Sequence, residues 1–124
     1  MEIRNDTMGS GYFGAPRGGR LHNGIDIIVD PGQPVKSPIA GEINRVFKPY
    51  AKGDMMGIEI VNGLFIAQLM YVAIAGENMV GKMVKAGSIV AFAQNIRDIH
   101  GPDMLPHVHL QVYVNPASLL CSVV

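Results

Sequence analysis

Pro106-His107-Val108-His109-Leu110-Gln111-Val112-Tyr113-Val114 carries two histidines one residue apart in a run built for extension. Val108, Val112, Tyr113 and Val114 are β-branched or aromatic and favour a strand, in which every second side chain shares a face. His107 and His109 then point the same way, about 6.6 Å apart along the backbone at ~3.3 Å per residue. From there two imidazoles can converge on one ion at about 2.0–2.1 Å. The same pair also fits a plainer arrangement, half-exposed strand histidines making ordinary hydrogen bonds. The stretch alone leaves both open.

A partner lies some eighty residues earlier, in His22-Asn23-Gly24-Ile25-Asp26. Fully extended, His22 and Asp26 would stand about 13 Å apart, too far to share an ion. Asn23-Gly24 supplies the bend, because glycine takes the positive φ that other residues avoid. A helix would also bring the two together, but Asn-Gly followed by Ile25, Ile27, Ile28 and Val29 argues against one. Histidine nitrogen with one carboxylate oxygen is the borderline-soft donor set that suits zinc, although another divalent ion would accept it too.

The rest of the chain bounds what such a site can serve. Its 124 residues are one domain's worth, with residues 1–10 reading as a flexible leader and 11–124 as a single β domain. Apolar residues make up 48%, with 15 Gly, 8 Pro and a formal net charge of zero, which describes a turn-rich globular chain. Lys and Arg are scattered, with no basic run to favour nucleic acid. No stretch reaches the roughly 18 apolar residues of a membrane span. Cys121, the single cysteine, has no internal disulfide partner. Residues 1–10 lack the apolar stretch of a signal peptide, and a processed chain would read the same.

Strands are expected at 25–29, 42–47, 57–61, 64–75 and 88–92, and at 107–114, with a short edge strand at 35–39 where Pro34 and Pro38 intervene. Asn62-Gly63 reads as a two-residue hairpin turn, and the almost wholly apolar run after it as one long central strand. About seven short strands without an amphipathic helix predict an all-β fold, an antiparallel sheet or sandwich. His100 sits in a polar loop, where surface exposure and a place beside the site both remain open. The methionines read as adaptable core or lid filler.

Four blocks resemble the lysostaphin-type zinc endopeptidases, over about residues 14–115. They are His22-Asn23-Gly24-Ile25-Asp26-Ile27, the run from Gly32-Gln33-Pro34-Val35 to Gly41-Glu42-Ile43, Val84-Lys85-Ala86-Gly87-Ser88-Ile89-Val90 and Pro106-His107-Val108-His109-Leu110, matching in order and spacing. The resemblance implies that family's duplicated-hybrid-motif-like β fold. It implies zinc held by His22, Asp26 and His109, with His107 a neighbouring histidine that stabilises the transition state. Active members carry one more histidine in a Tyr-x-His-Leu strand motif, and the matching Tyr71-Val72-Ala73-Ile74 puts Ala73 at its position. A methyl group neither moves a proton nor holds an oxyanion, and losing one such group typically lowers the rate by around 10²–10⁴. The resemblance therefore implies a poor peptidase in which His107 is vestigial.

Phe47-Lys48-Pro49-Tyr50, Gly57-Ile58-Glu59-Ile60 and Leu69-Met70-Tyr71-Val72 further resemble the leukocyte cell-derived chemotaxin-2 group, secreted proteins that keep the fold and the zinc and act as extracellular signalling ligands. That group carries disulfides, which one cysteine cannot reproduce. The expectation is a secreted, zinc-binding, catalytically inactive domain that binds a cell-surface receptor or other protein ligand. The alternative is an active zinc endopeptidase cutting Gly-rich or peptidoglycan cross-links, with His100 or Tyr71 replacing the missing histidine.

Overall fold

β-Branched and aliphatic runs separated by Gly, Pro and Asn give short strands and tight turns, and the computed structural model is built almost wholly of them. It describes residues 1–17, 20–21 and 23–119, with the side chains of 17, 20 and 21 left aside. His22 and Cys121 thus lie outside the described residues.

In chain order the strands are β1 (Asn5–Asp6), β2 (Gly9–Ser10), β3 (Pro16–Arg17), β4 (Arg20–Leu21), β5 (Ile25–Ile28), β6 (Pro34–Lys36) and β7 (Gly41–Phe47). They continue with β8 (Gly57–Val61), β9 (Phe65–Met70), β10 (Val72–Ile74), β11 (Met83–Val84), β12 (Ile89–Ala93) and β13 (His107–Val114). One helical turn, α1 (Arg97–His100), precedes β13, and a 3-10 turn (Pro116–Leu119) follows it. A six-stranded antiparallel sheet runs β11-β7-β8-β9-β13-β5, and a three-stranded one runs β10-β12-β6, with β6 at its edge. The expected all-β antiparallel fold is what forms.

The core lies between these two sheets. Ile43, Ile58, Ile60, Leu69 and Val108 face it from the large sheet, and Val35, Val72, Val90, Ala91 and Ala93 from the small one. On the large sheet's other face, register aligns Arg45, Glu59, Gln68 and Gln111 in a row across four strands. Burial alone would raise the Glu59 pKa, but donation from Gln68, Arg45 and Asn44 outweighs it and holds the carboxyl below its usual range.

Two expectations need correction. The run 64–75 is two strands, because Tyr71 breaks it at φ 69°, the one non-glycine residue with positive φ among those described. Tyr71 N–H donates to the Met56 carbonyl and its own carbonyl accepts from Gln94, so the break is bonded on both sides while the chain crosses from one sheet to the other. The hairpin at Asn62 is not a two-residue turn either. Three residues separate β8 from β9, and the Asn62 side-chain oxygen accepts from the Leu64 and Phe65 amides, closing the turn with a side chain.

Ile58 is fully buried at the centre of the large sheet. Ile58→Ala is expected to lower unfolding free energy by about 2–5 kcal/mol, read as a lower urea midpoint at unchanged slope.

Candidate metal centre

β13 and β5 pair so that His109 stands directly opposite Asp26 and His107 opposite Ile28. Alternation along β13 puts Val108 into the core and turns His107, His109 and Gln111 to the other face. Residues 83 positions apart therefore meet: His109 Nδ1 is 2.8 Å from Asp26 Oδ1. Asp26, His107 and His109 are all buried, at 3%, 3% and 6% exposure. His107 Nδ1 donates to the Leu105 carbonyl at 2.7 Å, leaving Nε2 as the acceptor nitrogen, 3.6 Å from Asp26 Oδ2. Burial pushes the His107 pKa down, so this imidazole is held neutral.

Gly24 has a different purpose from the one its sequence context indicated. Its φ is not among the positive ones. A Cβ there would lie 2.3 Å from the Leu110 carbonyl oxygen and 2.7 Å from His109 Nε2. The residue is small so that the His109 ring can lie against the backbone.

The leader belongs to the site as well. Glu2 to Arg4 run along β5, and after the β1–β2 hairpin Gly11 returns to it: Arg4 N–H donates to the Asp26 carbonyl, Asp26 N–H to the Gly11 carbonyl, and Ile28 N–H to the Glu2 carbonyl. Arg4 is 2% exposed. Its Nε donates to Asp26 Oδ2 at 3.1 Å and one terminal nitrogen to Asp6 Oδ1 at 2.9 Å and the Gly9 carbonyl at 3.1 Å. Asp6 in turn accepts from the Leu105 amide at 2.7 Å. Arg4 and Asp6 carry no periodic signal, and sequence reasoning missed them.

A cleft of about 560 Å³ opens over these residues. Its far wall is Tyr50, Tyr71 and His100, so the structure brings His100 to the site. Tyr50 Oη lies 2.9 Å from both Tyr71 Oη and His100 Nε2. Tyr71 meets the His107 ring edge-on at 5.4 Å. Burial drives the Tyr71 pKa far above its ordinary value, so its phenol stays protonated. Met55, Ile96 and Met104 form a small apolar cluster against which Tyr50 and Tyr71 pack, and Met104 itself lines the cleft. The segment after β9 thus contributes Tyr71 to the cleft. Ala73 lies on β10, paired with Phe92 in the smaller sheet.

Whether these side chains suit a metal can be tested on their hydrogen bonds. His109 Nε2 is 2.9 Å from Gln111 Oε1, an acceptor, so Nε2 carries a hydrogen. Nδ1 faces Asp26 Oδ1, also an acceptor, so an acceptor oxygen stands at each ring nitrogen. A buried nitrogen and a carboxylate oxygen converging in this way are a fit for a divalent ion. Among the described residues no group of three His, Cys, Asp or Glu is placed to hold one. The expected third member, His22, is outside the described set.

The model of Peptidase family M23 matches residues 20–119. The chain belongs to that family. It is 28% identical to leukocyte cell-derived chemotaxin-2 of Bos taurus over 114 residues, covering 89% of this chain and 72% of that protein. It is 30% identical to myeloid protein 1 of Gallus gallus over 116 residues, 89% of this chain but only 34% of that protein. The catalytic domain of lysostaphin from Staphylococcus simulans superposes with a TM-score of 0.63 at 31% identity, covering 86% of this chain and 79% of that one. A zinc-containing peptidase from Vibrio cholerae gives 0.60 at 30% identity, covering 90% of this M23 domain and 34% of that chain.

Asp6 offers a measurement on the leader. Burial would raise its pKa, but the Leu105 and Met8 amides and Arg4 outweigh that and hold it low. A depressed carboxylate stabilises the fold above its unfolded value near 3.9, and the stabilisation disappears as pH falls through the lower folded value. Asp6→Asn is therefore expected to reduce stability by about 1–3 kcal/mol at pH 7, and the gap from the native protein should close below about pH 4 in thermal melts.

Proposed function

We propose that this chain is a zinc-binding M23 domain that acts by binding a protein partner outside the cell rather than by cutting peptides. The observation that carries the reading is the residue the β9–β10 segment delivers to the cleft: a tyrosine held protonated, with no histidine between Phe65 and Ile74. Zinc-assisted amide hydrolysis needs positioned groups that take and return protons near neutral pH. A protonated buried phenol can donate a hydrogen bond but is a poor base. His107, neutral with Nε2 as acceptor, is then one proton acceptor without an imidazole partner from that segment.

Zinc would be held by His22, Asp26 and His109. When bound it supplies a Lewis acid and ties β5 to β13. This chain's own groups do the rest: Gln111 orients the His109 ring, Leu105 fixes the His107 tautomer, and Gly24 gives the ring its space. Similarity to chemotaxin-2 across 72% of that protein supports a signalling role with a cell-surface receptor as partner. Secretion rests on the same similarity.

One observation favours a second reading, a zinc endopeptidase acting on Gly-rich or peptidoglycan cross-links. The Tyr71–Tyr50–His100 chain can hand a hydrogen towards the cleft and replace a missing donor. The two readings separate on purified, zinc-loaded protein given pentaglycine or staphylococcal cell walls. No zinc-dependent cleavage is expected; cleavage that vanishes in His107→Ala would establish the endopeptidase. Zinc itself is tested by chelation, where EDTA should lower the melting temperature by several degrees, and an unchanged melt removes the metal from the proposal.

A further inference from the structure

Arg4 is a buried charged group that neither reading uses. It reaches both halves of the site at once. Towards β5 it holds Asp26 Oδ2 through Nε. Towards β13 it acts through Asp6, whose other oxygen accepts the Leu105 amide, and the Leu105 carbonyl in turn fixes His107. Backbone bonds from Arg4 to Asp26 and from Gly11 to Arg4 lock its position. Space is tight, since a Cβ on Gly11 would lie 2.6 Å from Asp26 Cβ and 3.0 Å from Arg4 Cβ.

We propose that Arg4 is a positioning residue of the metal centre, and that residues 2–11 form an integral strap whose docking is coupled to metal binding. The inference rests on the zinc reading above. With Oδ2 held by the guanidinium, Asp26 presents Oδ1 alone on the side of His109, as a single-oxygen donor. Arginine suits the task because its planar fork addresses Asp26, Asp6 and Gly9 simultaneously, which one ammonium cannot do. Coupling is reciprocal: if the docked strap favours metal, bound metal favours the docked strap to the same extent.

The sign of the effect separates positioning from simple charge. A cation next to a ligand carboxylate repels zinc, so charge alone predicts tighter binding when Arg4 is removed. Positioning predicts the opposite, a loss of about 10–100-fold, typical when an outer partner of a metal ligand is removed. The full-length chain and its Arg4→Ala and Arg4→Lys variants are titrated with Zn²⁺ against a chromophoric chelator, and their Co²⁺ forms are compared by visible absorption. Arg4→Ala is expected to bind Zn²⁺ about 10–100-fold more weakly, with Arg4→Lys closer to it than to the native chain. The Co²⁺ bands should weaken in Arg4→Ala as Asp26 gains freedom to offer both oxygens and the coordination number rises.

Unchanged or tighter binding in Arg4→Ala overturns the proposal. Should that variant not fold, hydrogen exchange on the native chain carries the test. Zn²⁺ should slow exchange of the Arg4, Gly11 and Asp26 amides by about tenfold or more, and equal rates with and without the ion refute the coupling. A native chain that takes up no zinc instead sinks the functional reading, so the two failures are distinct.

Discussion

His109 and Asp26 face each other across β13 and β5, and the rest of the site depends on that pairing. It is a constraint of register before it is one of chemistry. Shifting β13 by one residue would send His107 and His109 into the core and bring Val108 out to the cleft. What prevents the shift is the rest of the sheet: β13 pairs with β9 along six residues on its other side, and β9 with β8 along five. Val108 packing against the buried isoleucine and valine side chains between the sheets fixes which face is which. A hydrophobic core thus determines the position of two polar atoms, and does so without contributing an atom to the cleft.

The cleft has two walls of different physical origin. The strand wall is held by ladder hydrogen bonds, while Tyr50, Tyr71 and His100 come from two connections and a sheet junction, and are held by one another. Tyr71 links the two. A non-glycine residue at positive φ stores about 1–3 kcal/mol of strain, which the surroundings must offset. Here the Met56 and Gln94 backbone bonds and the stacking of Tyr71 on Tyr50, ring centres 5.8 Å apart, do so. The same break sends the chain to the smaller sheet and turns the phenol into the cleft. Fold and site are satisfied by a single backbone conformation.

The sequence made some of this legible and hid the rest for physical reasons. Runs of apolar and β-branched residues bounded by turn residues placed β5, β8, β12 and β13, and alternation of apolar with polar residues placed β7. Strand geometry also put His107 and His109 on one face, and the His-Asn-Gly-Ile-Asp motif brought in Asp26. The break at Tyr71 was hidden, because an apolar run reads the same whether it continues or turns a corner in its middle. Gly24 looked like a turn residue, although what it answers to is the His109 ring, a neighbour far along the chain. Arg4 and Asp6 were least legible. Two charged residues in a short polar leader look like solvated surface until their partners, Asp26 and Leu105, are seen beside them.

Those two residues bear on how a fold of this kind holds together with a single cysteine. A loop closed over eighty residues costs entropy that grows only slowly with its length, so a few cross-links between its ends suffice. Asp26 and His109 close such a loop. Arg4 and Asp6 close a larger one, from the leader to the segment before β13, with an ion pair shielded from solvent. A buried ion pair alone is weak evidence of stability, because desolvation consumes much of the attraction. Its value here is directional, since three acceptors around one guanidinium define where that guanidinium sits and therefore where Asp26 Oδ2 sits. Under the zinc reading, the ion would complete a network that the strap, β5 and β13 already share. The leader is then best regarded as part of the site, with Arg4 and Met8 lining the cleft.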